Sequence, residues 1–408
     1  VGTEIPFPLY GRDFKRDPYP TYQGLRDSGP VHRVEFPSGV HAWVVTGYDA
    51  AVRTLSDDRL GKNHALGNDA WRRLAAIMPE PQHSLLQVHM LHQDPPAHTV
   101  MRKLVTDTFG PRGVAARRAD FERLADDLLA GLAAAGGGDL VASFGVPFPF
   151  QVLSEMIGLP EEFRRGFRHE WCKVVAPVGP RSPHRQHYID LLHGLQAYID
   201  DVITHFQRQP DASLLGRLVA AHADGALDRP QLSSMIFQLI VAGLEPVTNQ
   251  ISTAVVALLT HPERQAQLVK EPAGIPAAVE ELLRFDGGFE LTTWRFFRDT
   301  TEHYGVRIPA GDSVIVSLAA ANRDPRRFGC PDELRFERSP NPHLAFGHGI
   351  HFCAGAALAR LELEVALAGI VRRLPKLALA VPAEELEWVP SVLGRGVSHL
   401  PVSCASST

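Results

Sequence analysis

Cysteine is scarce in this chain: Cys172, Cys330, Cys353 and Cys404 are scattered through 408 residues without CxxC spacing. That excludes a disulfide framework or a structural zinc site as its organising device. Charge of one sign is also lacking. The formal net charge of -5 gives no general electrostatic reason to bind nucleic acid or an anionic membrane. There is no run of about 18 to 20 apolar residues, and Val1-Gly2-Thr3-Glu4-Ile5-Pro6 has neither a basic n-region nor an apolar h-region. The expectation is a cytoplasmic chain without a membrane span, read as a monomer. Internal repeats and long low-complexity linkers are missing as well. What is present is ordinary globular composition, 45% hydrophobic and 21% charged, enough to fold throughout.

Asp17-Pro18-Tyr19-Pro20 predicts a short helix over 22–27 that stops at Ser28-Gly29-Pro30. Residues 31–36 and 41–46 flank Pro37-Ser38-Gly39 and read as a β-hairpin. From about 49 to 268 the pattern is mainly helical, broken at Pro79-Glu80-Pro81 and Pro177-Val178-Gly179-Pro180. The longest helix should begin at Asp228-Arg229-Pro230, a capping residue with proline in the first turn, and run to Thr260-His261-Pro262. At 1.5 Å per residue it spans roughly 45 to 50 Å, so it has to be central. A further helix ends at Arg284-Phe285, a β-rich segment includes 313–317, and an alanine-rich helix starts near Ala354. The chain reads as one unit over 1–408, mainly α, with minor β-rich portions near 31–46 and 285–320.

Chemistry concentrates in Phe346-Gly347-His348-Gly349-Ile350-His351-Phe352-Cys353-Ala354-Gly355. Its glycines permit a tight backbone and close approach to something large and flat. The cysteine stands where a helix begins, where backbone N–H groups and the positive helix end favour the thiolate that ligates metal. Taken alone, a Gly-x-Cys turn is a buried free cysteine. The whole decapeptide, however, resembles the haem-binding loop of the cytochrome P450 family, Phe-Gly-x-Gly-x-His-x-Cys-x-Gly, at every defined position. The resemblance implies that Cys353 is the metal ligand, that Phe346 packs by the sulfur, that His351 meets a haem propionate, and that Gly347, Gly349 and Gly355 shape the loop around haem b.

Three further segments carry the same resemblance. Glu281-Leu282-Leu283-Arg284 places acid and base on one helix face and is similar to the family's buried, structural Glu-x-x-Arg pair, about seventy residues before the cysteine loop. Asp94-Pro95-Pro96-Ala97-His98-Thr99-Val100-Met101-Arg102 puts His98 and Arg102 four apart on one face, suited to an anion. In the family the corresponding pair holds propionates. Arg295, in Thr293-Trp294-Arg295-Phe296, resembles another propionate-binding arginine. The likeness runs from Asp17-Pro18 to Arg395-Gly396-Val397 and implies the family's triangular, helix-rich prism with small β-sheets.

The long helix departs from the family. Where Ala-Gly-x-(Asp/Glu)-Thr is usual, this chain has Ala242-Gly243-Leu244-Glu245-Pro246-Val247-Thr248-Asn249, with Ala242 and Gly243 against the cofactor, the acid kept as Glu245 and the threonine replaced by Pro246. A proline there removes an N–H and crowds the carbonyl of Ala242, at about 3 kcal/mol or more, so a kink is expected. Thr248 is rotated about 200° from Pro246, whereas Asn249 lies one turn on and is the better proton-relay residue. Altered proton delivery suits oxidative C–N, C–C or C–O bond formation without oxygen insertion, the alternative to hydroxylation.

The resemblance assigns substrate contact to the loop over 61–91, including Leu86 and Val88, to Val241 and Leu244 of the long helix, to Phe289, Leu291 and Thr292, and to Val392 and Leu393. This apolar set suits an aromatic or peptide-derived natural product of secondary metabolism, including antibiotic biosynthesis. O2 is the co-substrate. Electrons would come from NAD(P)H through an external ferredoxin and its reductase, docking near Arg102, Lys103, Arg112 and Arg360. A peroxide-using enzyme of the same fold and a non-enzymatic haem sensor or carrier are the competing readings.

Overall fold

The computed structural model describes residues 9, 11–36, 38–75, 78–175, 178 and 182–404. The expected N-terminal hexapeptide, Pro37 of the hairpin turn and most of the 177–180 proline cluster lie outside them.

Helix α1, Tyr19–Ser28, leads into strands β1, Val31–Glu35, and β2, His41–Val45, which pair antiparallel as the hairpin pattern predicts. Three more short strands complete this sheet: β3, Leu60–Gly61; β4, Arg295–Phe297; and β5, Ser313–Val316. Their order is β1-β2-β5-β4-β3, with β2 and β5 parallel. The register matters for the site. Gly61 pairs with Phe296, so Lys62, just past β3, arrives beside Arg295 at the start of β4.

The helices that frame the site are α2, Gln82–Leu86; α3, Ala97–Phe109; α4, Arg118–Ala134; α5, Pro147–Ile157; α6, Arg185–Arg208; α7, Arg229–Thr260; α8, Ile275–Phe285; and α9, Ala356–Arg373. Helix α7 begins where its sequence dictates. Asp228 Oδ1 accepts the Gln231 N–H at 2.7 Å while Gln231 Oε1 accepts the Asp228 N–H at 2.9 Å, a reciprocal cap on two orphan donors. Every residue from 232 to 241 is buried, nearly three full turns, so no face of that stretch meets water. Its length and apolarity would suffice to cross a bilayer, yet it is mostly buried inside the protein. Each fully buried Leu, Ile or Phe there contributes roughly 1.5–3 kcal/mol.

Helix α7 runs on through Pro246, which has no N–H to offer the Ala242 carbonyl. A cavity opens at this level, so the ring and the freed Ala242 carbonyl border a space and not a packed neighbour.

Candidate active site

The cavity has a volume of about 310 Å³ and opens to solvent, within the roughly 300–1,000 Å³ usual for a ligand pocket. One wall is the face of α7 made by Gln238, Leu239, Ala242, Gly243, Pro246, Val247 and Gln250; the glycine-rich loop and the start of α9 form another.

Cys353 stands in that loop with its side chain open to the cavity. Its N–H donates to the Phe346 carbonyl at 2.9 Å, closing the loop. Gly347 and Gly349 take φ of 73° and 76°, the left-handed region that favours glycine. A Cβ on Gly349 would also lie 2.7 Å from the Leu55 carbonyl. Gly355 is not left-handed; it precedes α9, and its N–H donates to the Cys353 sulfur. Burial pushes the thiol up, against the pull of that N–H and of Arg102 and Arg360. The helix start alone therefore does not deliver the thiolate expected from it. The Arg360 guanidinium lies 4.5 Å over the Phe346 ring and is bound to Glu280 at 2.6 and 3.0 Å.

Beside the loop, cationic and imidazole groups converge. His98 and Arg102 of α3, Arg295 of β4 and His351 all line the cavity, and Lys62, which the sequence did not single out, joins them. The His98 and His351 rings lie 4.4 Å apart. Lys62 Nζ donates to the Trp294 carbonyl at 2.8 Å and to Thr293 Oγ1. Burial and the neighbouring cations, Lys62 first, lower His351 to about 2, and burial lowers Arg295 to about 10. His351 Nε2 is buried without a partner among the described residues, and Arg295 has only the Thr293 carbonyl at 3.5 Å. Asp94, the nearby carboxylate, pairs with Arg298 at 3.1 Å. A surplus of buried donors around an orphaned imidazole fits a flat group with two carboxylates, and a cavity-facing thiol fits a soft metal at its centre. The residues present thus fit haem.

On α7 the sequence expectations divide. Burial holds Glu245 at about 7. Thr248 points away, as predicted, and donates to the Gly145 carbonyl at 2.9 Å. Asn249 is corrected: it is not on the cavity wall but packed under the 394–396 turn, so close that a Cβ on Gly396 would meet its Oδ1 at 2.4 Å. The residue that continues the cavity face is Gln250, and its amide is spent: Oε1 accepts the Gly288 N–H at 2.7 Å and Nε2 donates to the Asp286 carbonyl at 3.3 Å.

Of the expected substrate contacts, Phe289 and Thr292 line the cavity. Leu86, Val88, Val241, Leu244, Leu291, Val392 and Leu393 do not. Val241 and Leu244 are on the packed side of α7, and Leu86 is core beneath α2, where Ser234 Oγ ties the chain by accepting the Val88 N–H at 3.1 Å. Leu291 sits in the sheet core, with Val392 and Leu393 packed against it. Met90 and Leu91 take the places expected of Leu86 and Val88.

Beneath α9, Glu281 and Arg284 are fully buried and bidentate at 2.7 and 2.8 Å. Arg338, unmarked in the sequence reading, adds its Nε to Glu281 at 3.1 Å. The segment before the cysteine loop is thereby fixed to α8.

A family model described as Cytochrome P450 matches residues 166–377. The chain is 39% identical to the cytochrome P450 monooxygenase PikC of Streptomyces venezuelae over 96% of its own length and 92% of that protein. It is 34% identical to the polyketide biosynthesis cytochrome P450 PksS of Bacillus subtilis (strain 168), covering 98% of this chain and 99% of the relative. Among solved structures, a myxobacterial cytochrome P450, CYP267B1, in complex with myristic acid superposes with a TM-score of 0.93 at 34% identity, over 98% of this chain and 99% of that one.

Proposed function

The chain belongs to the cytochrome P450 family, and we propose that it is a haem-thiolate monooxygenase that oxidises an apolar natural product in secondary metabolism, with Cys353 as the iron ligand. The observation that carries this reading is a cavity-facing thiol sharing one cavity with the cationic side chains of Lys62, Arg102 and Arg295 and the imidazoles of His98 and His351. His98, Arg102, Arg295 and His351 would hold the haem propionates, with Lys62 adding positive charge beside Arg295, and Phe346 and Gly355 would flank the sulfur. When bound, the haem supplies reductive activation of O2, and thiolate ligation favours O–O cleavage.

Glu245 is the acid that α7 keeps, and burial raises its carboxyl to about 7, but it is not among the residues that line the cavity, so its part in proton delivery is indirect. Pro246 presents no hydroxyl to the cavity, and the Thr248 hydroxyl is spent on Gly145. That observation favours a second reading, oxidative bond formation without oxygen insertion. An external ferredoxin is the electron donor in this proposal. Exposed Val100, Ile350 and Phe352 beside the exposed Lys103 and Arg112 offer an apolar centre with a basic rim on the cysteine side.

Reduced protein under carbon monoxide should absorb at the wavelength typical of thiolate ligation, and Cys353→His should lose that band; a parent protein that takes up no haem refutes the assignment. Turnover under isotopically labelled O2 separates the two reactions, since one labelled oxygen in the product means insertion and none means coupling.

A further inference from the structure

Several polar groups on the cavity wall are already engaged. Thr292 Oγ1 accepts the Val316 N–H at 3.1 Å, Thr293 Oγ1 accepts from Lys62, and the Gln250 amide is held by Gly288 and Asp286. Gln238 is different. It lines the cavity on α7 with 8% of its surface exposed, and its side-chain oxygen is buried without a hydrogen-bond partner among the described residues. A buried amide left unpaired costs free energy that a ligand can recover. The same cavity is lined by the apolar Leu239 of its own helix and by Met90 and Leu91 on the segment entering α3.

We propose that Gln238 is a specificity-determining residue that selects apolar substrates carrying a hydroxyl group. A hydroxyl both donates and accepts, so it satisfies the amide whichever way the amide is turned. A carboxylate does not donate, and a pure hydrocarbon leaves the amide as unpaired as before. Gln238 stands four residues before Ala242, roughly 6 Å along the helix axis, where small side chains open the wall. The hydroxyl therefore anchors the substrate about one helical turn from that step, and the carbon to be oxidised lies beyond it. This deepens the monooxygenase reading and rests on it.

The test titrates the haem-loaded protein with dodecan-1-ol and with dodecane, following the Soret band. The parent should bind the alcohol about tenfold more tightly than the alkane, and Gln238→Leu should reduce that preference about tenfold. Gln238→Met, which keeps the side-chain length, should do the same. Haem content and the carbon monoxide spectrum should be unchanged in both variants. A parent that responds equally to the two compounds or to neither, or variants that retain the parent's preference, overturns the proposal while the monooxygenase reading stands. Loss of the thiolate band in the parent removes the reading beneath it.

Discussion

Glu281, itself fully buried, accepts hydrogen bonds from two arginines, from the Arg335 N–H at 2.9 Å and from Asn341 at 3.2 Å. Removing one partner strands a charge where nothing solvates it. Arg284→Met should therefore destabilise the protein by about 3–5 kcal/mol in urea unfolding, with haem lost in the same transition. Glu245 behaves oppositely, because its folded pKa of about 7 lies above the ordinary 4.5. The folded state binds its proton more tightly than the unfolded chain does. The stability this contributes is full below pH 4.5 and is lost as pH rises through about 7. Glu245→Gln should flatten that part of the pH dependence, read from urea midpoints across the interval.

At the scale of elements, α7 and the 286–289 turn are set against each other with no spare room. A Cβ on Gly288 would lie 2.8 Å from both the Pro246 carbonyl and the Gln250 nitrogen. Gly288→Val should push the turn and Phe289 off the helix, measured as a weakened Soret response to any ligand that binds the parent. Pro246→Thr restores an N–H for the Ala242 carbonyl and brings a hydroxyl to the cavity wall. It should stabilise the helix by on the order of 1–3 kcal/mol and lower the hydrogen peroxide released per NADPH consumed in a ferredoxin-coupled assay.

At the scale of the whole molecule, the ends of the described chain close on each other. Lys15 donates to the Gly394 carbonyl at 2.9 Å and pairs with buried Glu290, while Arg395 reaches Asp286 and the Lys15 carbonyl. These contacts tie the segments around residues 15 and 394–395 to the 286–290 turn. The cysteine-side surface is where charge should matter over distance. Lys103→Glu should raise the KM for an acidic ferredoxin several-fold at low salt, and the difference should shrink as salt approaches the strength at which exposed charges are screened.

The residues by themselves determined the family, the cysteine loop, the cavity-lining His98, Arg102, Arg295 and His351 proposed as propionate donors, the buried Glu281–Arg284 pair and the limits of α7, because each is written in local spacing: a loop motif, an i, i+3 or i+4 pair, a cap. Which side chains face the cavity was decided by tertiary packing alone. Asn249 has the right helical angle, but the 394–396 turn covers it, and no pattern within α7 encodes a segment some 145 residues later. Lys62 reaches Arg295 only through the pairing of β3 with β4, and Arg338 reaches Glu281 only because its loop folds back on α8. Apolar side chains at 86, 241, 244 and 291 read alike whether they line a cavity or fill a core, since burial against protein and burial against a ligand reward the same chemistry.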